Sequence, residues 1–352
     1  MQRLQSADGM LLSAGPRTKV AVVLNQNARG VRPAVIEQLG RLVPARDLYV
    51  SESLDHSRTI ARTLVERGYD GVLFGGGDGT FTQCISDIAS EARARGENLP
   101  SVGVLRLGSG NALADALGAS RPTLDGLVRD LRRARASSRA RTLPLLAVDD
   151  KLAPFSGLGL DAQILDDFGA MGRMIETTQE RLGWSRKVPA SVQYALTVPT
   201  LSLPRFVSQP WPEVEIVNVG GPAYRIDWRS GRALIHRPIA PGEVLFRGRV
   251  ALATTATIPY FGLKMKMFPY VNQVPGTFQL RVSTATAYET LRNLPAVFRG
   301  EYRSPKLHDF LCDGIEMRMA QPVPVQIGGD LQPGKRDQLR IELAEEPVRT
   351  LH

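Results

Sequence analysis

The stretch Gly75–Thr80 reads GGGDGT, directly after the apolar run Val72–Phe74 and directly before a helical pattern that extends to about Arg95. An apolar strand running through glycines into a helix marks the junction in an open α/β sheet where ligands bind, beyond the strand ends. The glycines are expected to let the backbone turn with positive φ, and to bring N–H groups close to a ligand with no Cβ in the way. The helix behind adds unpaired N–H groups and the positive end of its dipole. Such a loop suits phosphate, with Gly76, Gly77, Gly79 and Thr80 as candidate contacts. Asp78 is the awkward member, because a carboxylate ~4 Å from a phosphate charge costs about 4 kcal/mol at an effective dielectric near 20. The conflict disappears if Asp78 faces a Mg²⁺ ion, accepts a proton from the attacking group, or organises the loop. An ordinary Asp-Gly tight turn is the plain alternative.

Two further junctions of the same kind flank this one. Leu105–Leu113 (LRLGSGNAL) puts Arg106, Gly108, Ser109, Gly110 and Asn111 at the end of the apolar run Val102–Leu105. Ser109 can donate to a phosphate oxygen, and Asn111 can cap the loop or the helix expected over Asn111–Leu117. Upstream, Asn25–Gly30 (NQNARG) closes the apolar run Lys19–Asn25 with the two asparagine amides, Asn25 and Asn27, and a cation, Arg29. A short strand at Leu48–Val50 and helices at about Pro33–Leu42 and between Asp55 (as N-cap) and Gly68 complete the alternation. The expectation is an α/β, doubly wound, mostly parallel sheet over residues 17–142, with three bends gripping one nucleotide.

Beyond about Arg141 the pattern changes. Eleven of the 24 prolines fall between Pro189 and Pro275. Strict alternation appears at Phe278, Leu280 and Val282; at Ile315, Met317 and Met319; at Val323, Val325 and Ile327; and at Leu339, Ile341 and Leu343. Period-two burial implies antiparallel sheet. One helical pattern, Ala162–Leu182, interrupts it. Residues 143–347 are therefore expected to form a mainly antiparallel β-sandwich.

At 352 residues, 43% hydrophobic and 22% charged, the chain has material for two cores and no signature of disorder. No apolar run approaches the ~18 residues of a membrane span, and the apolar start at Met10–Leu12 is too short for a secretory core. Cys84 and Cys312 form no metal or redox spacing, which suits the cytoplasm. The formal charge of +9 favours anionic partners. Arg129, Arg132, Arg133, Arg135, Arg139 and Arg141 crowd one stretch, readable as a solvated helix face or as a patch for lipid headgroups or polynucleotide. Aromatics are not interleaved with them and no groove-reading motif is present, so nucleic acid is not expected. Peripheral attachment to anionic membranes through the basic face is. His56, His236, His308 and His352 show no ligand spacing, and no GxSxG elbow supports a hydrolase.

The loops match neither GxxxxGK[ST] nor GxGxxG. GGGDGT followed by GSGN, after an Asn-initiated first loop, resembles the diacylglycerol-kinase catalytic superfamily of lipid kinases, and Gly108–Gly118 (GSGNALADALG) resembles its sphingosine-kinase version. Further along, Phe155–Ala162 (FSGLGLDA) resembles the family's glycine-aspartate segment with Asp161 at the acidic position. Ile258–Tyr270 (IPYFGLKMKMFPY) resembles its Tyr-Gly-Gly…Phe-Pro-Phe segment, and Val325–Asp330 (VQIGGD) its late Asp-Gly-Glu motif.

The resemblance implies ATP and Mg²⁺ as cofactors, a lipid alcohol as substrate, and transfer of the γ-phosphoryl group to its hydroxyl. It places the acids of the reaction at Asp78 and Asp330, with Asp330 favoured as base and Asp78 as a further contact for the metal, and substrate contacts at Asp161, Tyr260 and Phe261. Lys264 and Lys266 then edge a lipid mouth, or the segment is a core strand with its loop. The departures are Gln26 where the family has Pro, Arg106 for Pro, Ala112 for Asp, and Gly328-Gly329-Asp330 for Asp-Gly-Glu. Arg106 reads as a clamp on phosphates or as a cover for the loop. The altered late motif keeps open a catalytically silent nucleotide- or lipid-binding relative. An NAD kinase, which shares GGDGT, is disfavoured by the lack of a Thr-Pro-Thr-Gly-Ser-Thr-like segment.

Overall fold

The computed structural model describes residues 18–136, 141–182, 190–208, 210–262 and 264–351. The first part of the chain alternates strands β1 (Val20–Asn25), β2 (Leu48–Ser51), β3 (Gly71–Gly76) and β4 (Ser101–Arg106) with helices α1 (Pro33–Gly40), α2 (Leu54–Glu66), α3 (Asp78–Arg95), α4 (Ala112–Ala116) and α5 (Leu124–Ala136). Strands β5 (Arg141–Leu143), β6 (Leu146–Val148), β7 (Lys151–Ala153) and β8 (Phe155–Gly159) follow, then helices α6 (Leu160–Leu182), α7 (Ala190–Thr197) and α8 (Leu203–Ser208), with a π-helical turn at Val198–Ser202. The remainder comprises β9 (Glu213–Asn218), β10 (Tyr224–Asp227), β11 (Arg232–Ala233), β12 (Val244–Arg249), β13 (Leu252–Ala256), β14 (Phe278–Ser283), α9 (Ala287–Arg292), α10 (Leu294–Arg299), β15 (Leu307–Cys312), β16 (Gly314–Val323), β17 (Val325–Ile327), β18 (Asp330–Leu331), β19 (Arg336–Leu343) and β20 (Val348–Thr350).

The first sheet has the order β2-β1-β3-β4-β20-β5, parallel throughout β2, β1, β3 and β4. Successive residues of its strands enter two different cores, which is why the strands read as unbroken apolar runs. Ala21, Val23, Val72 and Phe74 pack with Ile60 and Leu64 of α2 and Phe81, Ile85 and Ile88 of α3. Val22, Leu24, Leu73 and Leu105 pack with Leu39 of α1 and Leu127 and Leu131 of α5 on the other face. The doubly wound expectation holds. What the sequence did not show is β20, which returns from the far end of the chain to pair in parallel with β4 and antiparallel with β5.

Two mainly antiparallel sheets make the second part, in the orders β11-β10-β15-β14-β13-β8-β17-β18 and β12-β9-β16-β19-β6-β7. They enclose a core of Phe278, Leu280, Val282, Phe310, Ile315, Met317, Leu339 and Ile341, so the alternating residues do face inward. Three expectations need correction. Val323, Val325 and Ile327 are not one strand: the chain changes sheet between β16 and β17, at Pro324, which has no N–H to continue a ladder. Helices are more numerous than the single expected one, with α7, α8, α9 and α10 added; Pro204 and Pro295 sit in the first turns of α8 and α10, where a missing N–H costs nothing. The N-cap of α2 is Ser53, whose hydroxyl accepts from His56 N at 3.1 Å, while Asp55 lies in the first turn and pairs with Arg58. The arginines of α5 take the solvated-face reading: Arg129, Arg132, Arg133 and Arg135 are exposed opposite buried Leu127, Leu131 and Ala134. Arg139 lies outside the described residues.

Candidate active site

The three glycine-bearing bends meet at the strand ends of the first sheet. Asn25, the last residue of β1, donates its side-chain N–H to Thr80 Oγ1 at 2.9 Å and accepts from Asn27 N at 2.9 Å. Gly30 N donates to Leu107 O at 2.8 Å. A Cβ on Gly108 would lie 2.6 Å from Gly77 N, so the second and third loops run backbone against backbone. Gly75, Gly76, Gly79 and Gly108 are thus required for space and not for dihedral freedom: none of Gly75, Gly76, Gly77, Gly79, Gly108 or Gly110 has positive φ, contrary to the expectation. The left-handed residue is Asn111, at φ 53°.

Asn111 does not cap α4 with its side chain. It accepts from Gly108 N at 3.0 Å and donates to Gly108 O at 2.6 Å, closing the GSGN loop on itself and leaving Ser109 exposed. The cap comes from Asp78. Its two oxygens accept from Ala112 N at 3.0 Å and Leu113 N at 2.9 Å, stitching the start of α3 to the start of α4. Burial pushes the Asp78 carboxyl above its usual range, opposed by those two N–H donors. Of the roles open to this residue, organising the loops has both its oxygens engaged.

Arg106 turns to the same helix. It pairs with Asp115 at 2.6 Å and donates to the carbonyls of Ala114 and Ala119. The guanidinium therefore covers α4. Arg29 is exposed and makes no ion pair among the described residues, which leaves it as the free cation of the three loops.

The second part of the chain closes the site from the other side. The turn Gly328-Gly329-Asp330 sits on the first turn of α3: a Cβ on Gly328 would lie 2.7 Å from Thr82 Cβ, and one on Gly329 would lie 3.9 Å from Asp78 Cβ. A methyl group on Gly79 would collide with the Asp330 carboxylate, so that carboxylate rests on the N-terminal turn of α3. Here positive φ does matter, at 61° for Gly328 and 87° for Gly329. Burial raises the pKa of Asp330, and Lys151 opposes the rise. Although its carboxylate is packed on Gly79, the residue keeps a solvent-facing side at the edge of the site.

The turn is held from behind. Gly328 N donates to Phe155 O at 2.8 Å, and Gly329 N donates to Gln326 Oε1 at 2.9 Å. The Gln326 amide in turn donates to Asp161 Oδ2 at 3.1 Å, while Asp161 Oδ1 accepts from Ala162 N at 2.8 Å. Asp161 is buried, and burial pushes its carboxyl up to about 7. Phe261 stacks edge-on against Phe155, centroids 5.1 Å apart, and Tyr260 packs half-buried against the same core. Asp161 is reached from the site through Gln326, whereas Phe261 borders it through Phe155. Sequence reasoning missed Thr82, Gln326, Lys151 and Phe155 as supports. Gln326 stands inside the quoted VQIGGD segment, but nothing in the sequence shows that its amide bridges a helix start to a glycine turn.

Residues 19–141 match the family model of the diacylglycerol kinase catalytic domain. This N-terminal part of the chain is thus similar to that catalytic domain. Three solved structures of a Bacillus anthracis str. Sterne protein assigned as a diacylglycerol kinase share the two-domain fold, each with a TM-score of 0.61 over 96% of this chain and 97% of that chain. The identities are 15%, 14% and 15%, which speak for the fold alone. No curated protein matches the chain. Among the described residues, no helix is long and apolar enough to cross a membrane.

Proposed function

We propose that the protein is an ATP- and Mg²⁺-dependent lipid kinase that phosphorylates the hydroxyl of a membrane lipid alcohol of the diacylglycerol or sphingoid-base type. The observation that carries this reading is the meeting of Asn25, Gly77 and Gly108 at one crevice, with Asp330 brought to the same place from the other half of the chain. In this reading residues 17–142 hold the nucleotide and residues 143–347 the lipid.

The residues fit a polyphosphate. Gly77 and Gly108 bring the second and third loops together with no side chain between them, Ser109 and Thr80 offer hydroxyls, and the start of α3 supplies N–H groups without intrahelical partners. Arg29, Asn25 and Asn27 line the third side. They fit a metal less fully: no cluster of three or more His, Cys, Asp or Glu forms among the described residues, so phosphate oxygens and water would complete the shell of a Mg²⁺ beside Asp330. Bound MgATP supplies the transferable phosphoryl group. Asp330 would accept the lipid hydroxyl proton while the lipid oxygen bonds to the γ-phosphorus and the bond from that phosphorus to the ADP oxygen breaks, a role that its raised pKa favours. The N–H groups and Arg29 stabilise the charge that collects on the equatorial and leaving oxygens. Tyr260, Phe261 and Phe155 form the apolar wall for the lipid chain, and Asp161 holds the polar end of that wall through Gln326.

Transfer of labelled phosphate from ATP to a mixed panel of lipid alcohols tests the proposal, with the Asp330→Asn protein alongside. ATP binding without transfer to any lipid would favour the silent relative, which the glycine at position 328 in place of an acid motivates. Working beside a bilayer, the enzyme attaches peripherally to anionic membrane from the cytoplasmic side.

A further inference from the structure

Helix α9 buries none of its residues, and it is held instead by a capping box in which Thr286 and Glu289 satisfy each other's backbone N–H groups. Short helices normally bury an apolar stripe. This one does the reverse: Tyr288 is 72% exposed and Leu291 56% exposed, one helical turn apart on its outer side. Helix α10 follows at once and continues the pattern, with Leu294 and Phe298 exposed four residues apart and only Val297 buried. Helix α8 packs beside α9 and adds Val207, 73% exposed. A contiguous apolar surface of this kind marks an interaction site.

The charge around it is one-sided. Arg292 on α9 and Lys264 and Lys266 on the adjoining loop are exposed and make no ion pair among the described residues. Lys266 N donates to Phe298 O at 3.1 Å, which fixes that loop to α10. The acids nearby are already engaged: Glu289 by Lys306 and the capping box, and Glu301 by Arg299. Apolar side chains ringed by unpaired cations complement an anionic lipid surface, where apolar burial and headgroup attraction act together.

The surface is also continuous with the site. From Phe298 the path runs to Lys266, then to Phe261, whose N–H donates to Met265 O at 2.8 Å, then to Phe155 at 5.1 Å, and on to Gly329, where an added Cβ would lie 3.7 Å from the Phe155 ring. We infer that the outer face of α9 and α10, with Val207 of α8 and the basic edge formed by Arg292, Lys264 and Lys266, docks the protein on an anionic bilayer and opens the aromatic wall of the site toward the lipid. This deepens, and in its second half rests on, the lipid-kinase reading. The arginines of α5 are not that contact: they belong to a helix of the first sheet's outer layer, without exposed apolar partners beyond Leu124.

The test is co-sedimentation of the full chain, without ATP, with vesicles of phosphatidylcholine containing about one-third phosphatidylglycerol, against pure phosphatidylcholine. The protein should prefer the anionic vesicles, and Tyr288→Ser/Leu291→Ser/Leu294→Ser should weaken binding at least about tenfold. Each single change Lys264→Gln, Lys266→Gln or Arg292→Gln should weaken it about fivefold, with a shallower salt dependence. Arg129→Gln/Arg132→Gln/Arg133→Gln should bind as the parent does. Because these helix residues are exposed, an unchanged melting temperature shows that the variants are folded. Phosphoryl transfer to detergent-dispersed lipid should survive the triple helix variant while transfer to vesicle lipid falls. Should no lipid be phosphorylated in either form, the kinase reading fails while the binding result still stands or falls alone. Equal vesicle binding by parent and triple variant overturns the docking surface. So does a parent dimer in sedimentation equilibrium that the triple variant abolishes, which would assign the face to a second copy of the chain.

Discussion

Replacing Asp78 with alanine removes the carboxylate that joins two of the three loops. Its oxygens accept from Ala112 N and Leu113 N at 3.0 and 2.9 Å, and nothing else in the site reaches those donors. A buried N–H left without a partner costs about 1–3 kcal/mol, so two give ~2–6 kcal/mol. The lower half of that range applies, because burial already penalises the ionised carboxylate and its removal relieves that penalty. A loss of ~3 kcal/mol lowers the melting temperature by about 6–12 °C in a domain of this size. The GSGN loop, no longer tied to the start of α3, should also lose its hold on nucleotide, with affinity for a fluorescent ATP analogue falling at least about tenfold, or ~1.4 kcal/mol. Asp78→Asn keeps one acceptor and turns an NH₂ group toward the second N–H, so it should fall between parent and alanine in both measurements. Thermal melts and a binding titration on the three proteins read this directly. If Asp78→Ala melts within about 1 °C of the parent and binds the ATP analogue normally, the loop-organising role is wrong. A loss of phosphoryl transfer alone would then put the carboxylate in the chemistry.

The remaining predictions concern neighbouring positions. Asp330→Asn should lower the rate of lipid phosphorylation by at least about a hundredfold with ATP affinity preserved, and an unchanged rate would assign the base elsewhere. Gly108→Ala drives a methyl group into the backbone of Gly77 and should weaken ATP binding about tenfold or more. Gly118→Ala, with φ at 69° but open space around it, should cost only about 1 kcal/mol of stability and leave binding alone. Asp161 has a folded pKa of about 7 against an ordinary 3.8, so the folded protein holds a proton there that the unfolded chain lacks between those values. Its contribution is fully favourable at acid pH and is lost as pH rises through about 7, by at most ~4 kcal/mol. Stability measured from pH 5 to 8 should therefore fall more steeply for the parent than for Asp161→Asn, and parallel curves would refute the assignment.

The three loops could be read from sequence because each is local: an apolar strand, small residues and a helix start follow one another within a dozen positions, and their chemistry does not depend on distant partners. The same holds for the two-sided burial of β1, β3 and β4, which shows as apolar runs rich in valine and leucine. What each loop residue does there was not local. Arg106 faces Asp115, nine positions on, and whether it turns to phosphate or to that acid depends on where α4 lies. Asp78 reaches Ala112 and Leu113 across a strand and a helix, and Asp330 meets Gly79 across most of the chain. Such pairings follow from how the sheets pack, which residue order does not encode directly.

Sequence by itself determined an alternation of strands and helices with three polar, glycine-bearing bends after strands, because each bend is written locally in apolar run, small residues and helix start. Tertiary packing alone decided that β20 completes that sheet, that Pro324 sends the chain to the other face of the sandwich, and that Gln326 aims a turn at α3. Those outcomes rest on contacts between segments separated by hundreds of positions, where each interaction is weak and only their joint packing selects one arrangement.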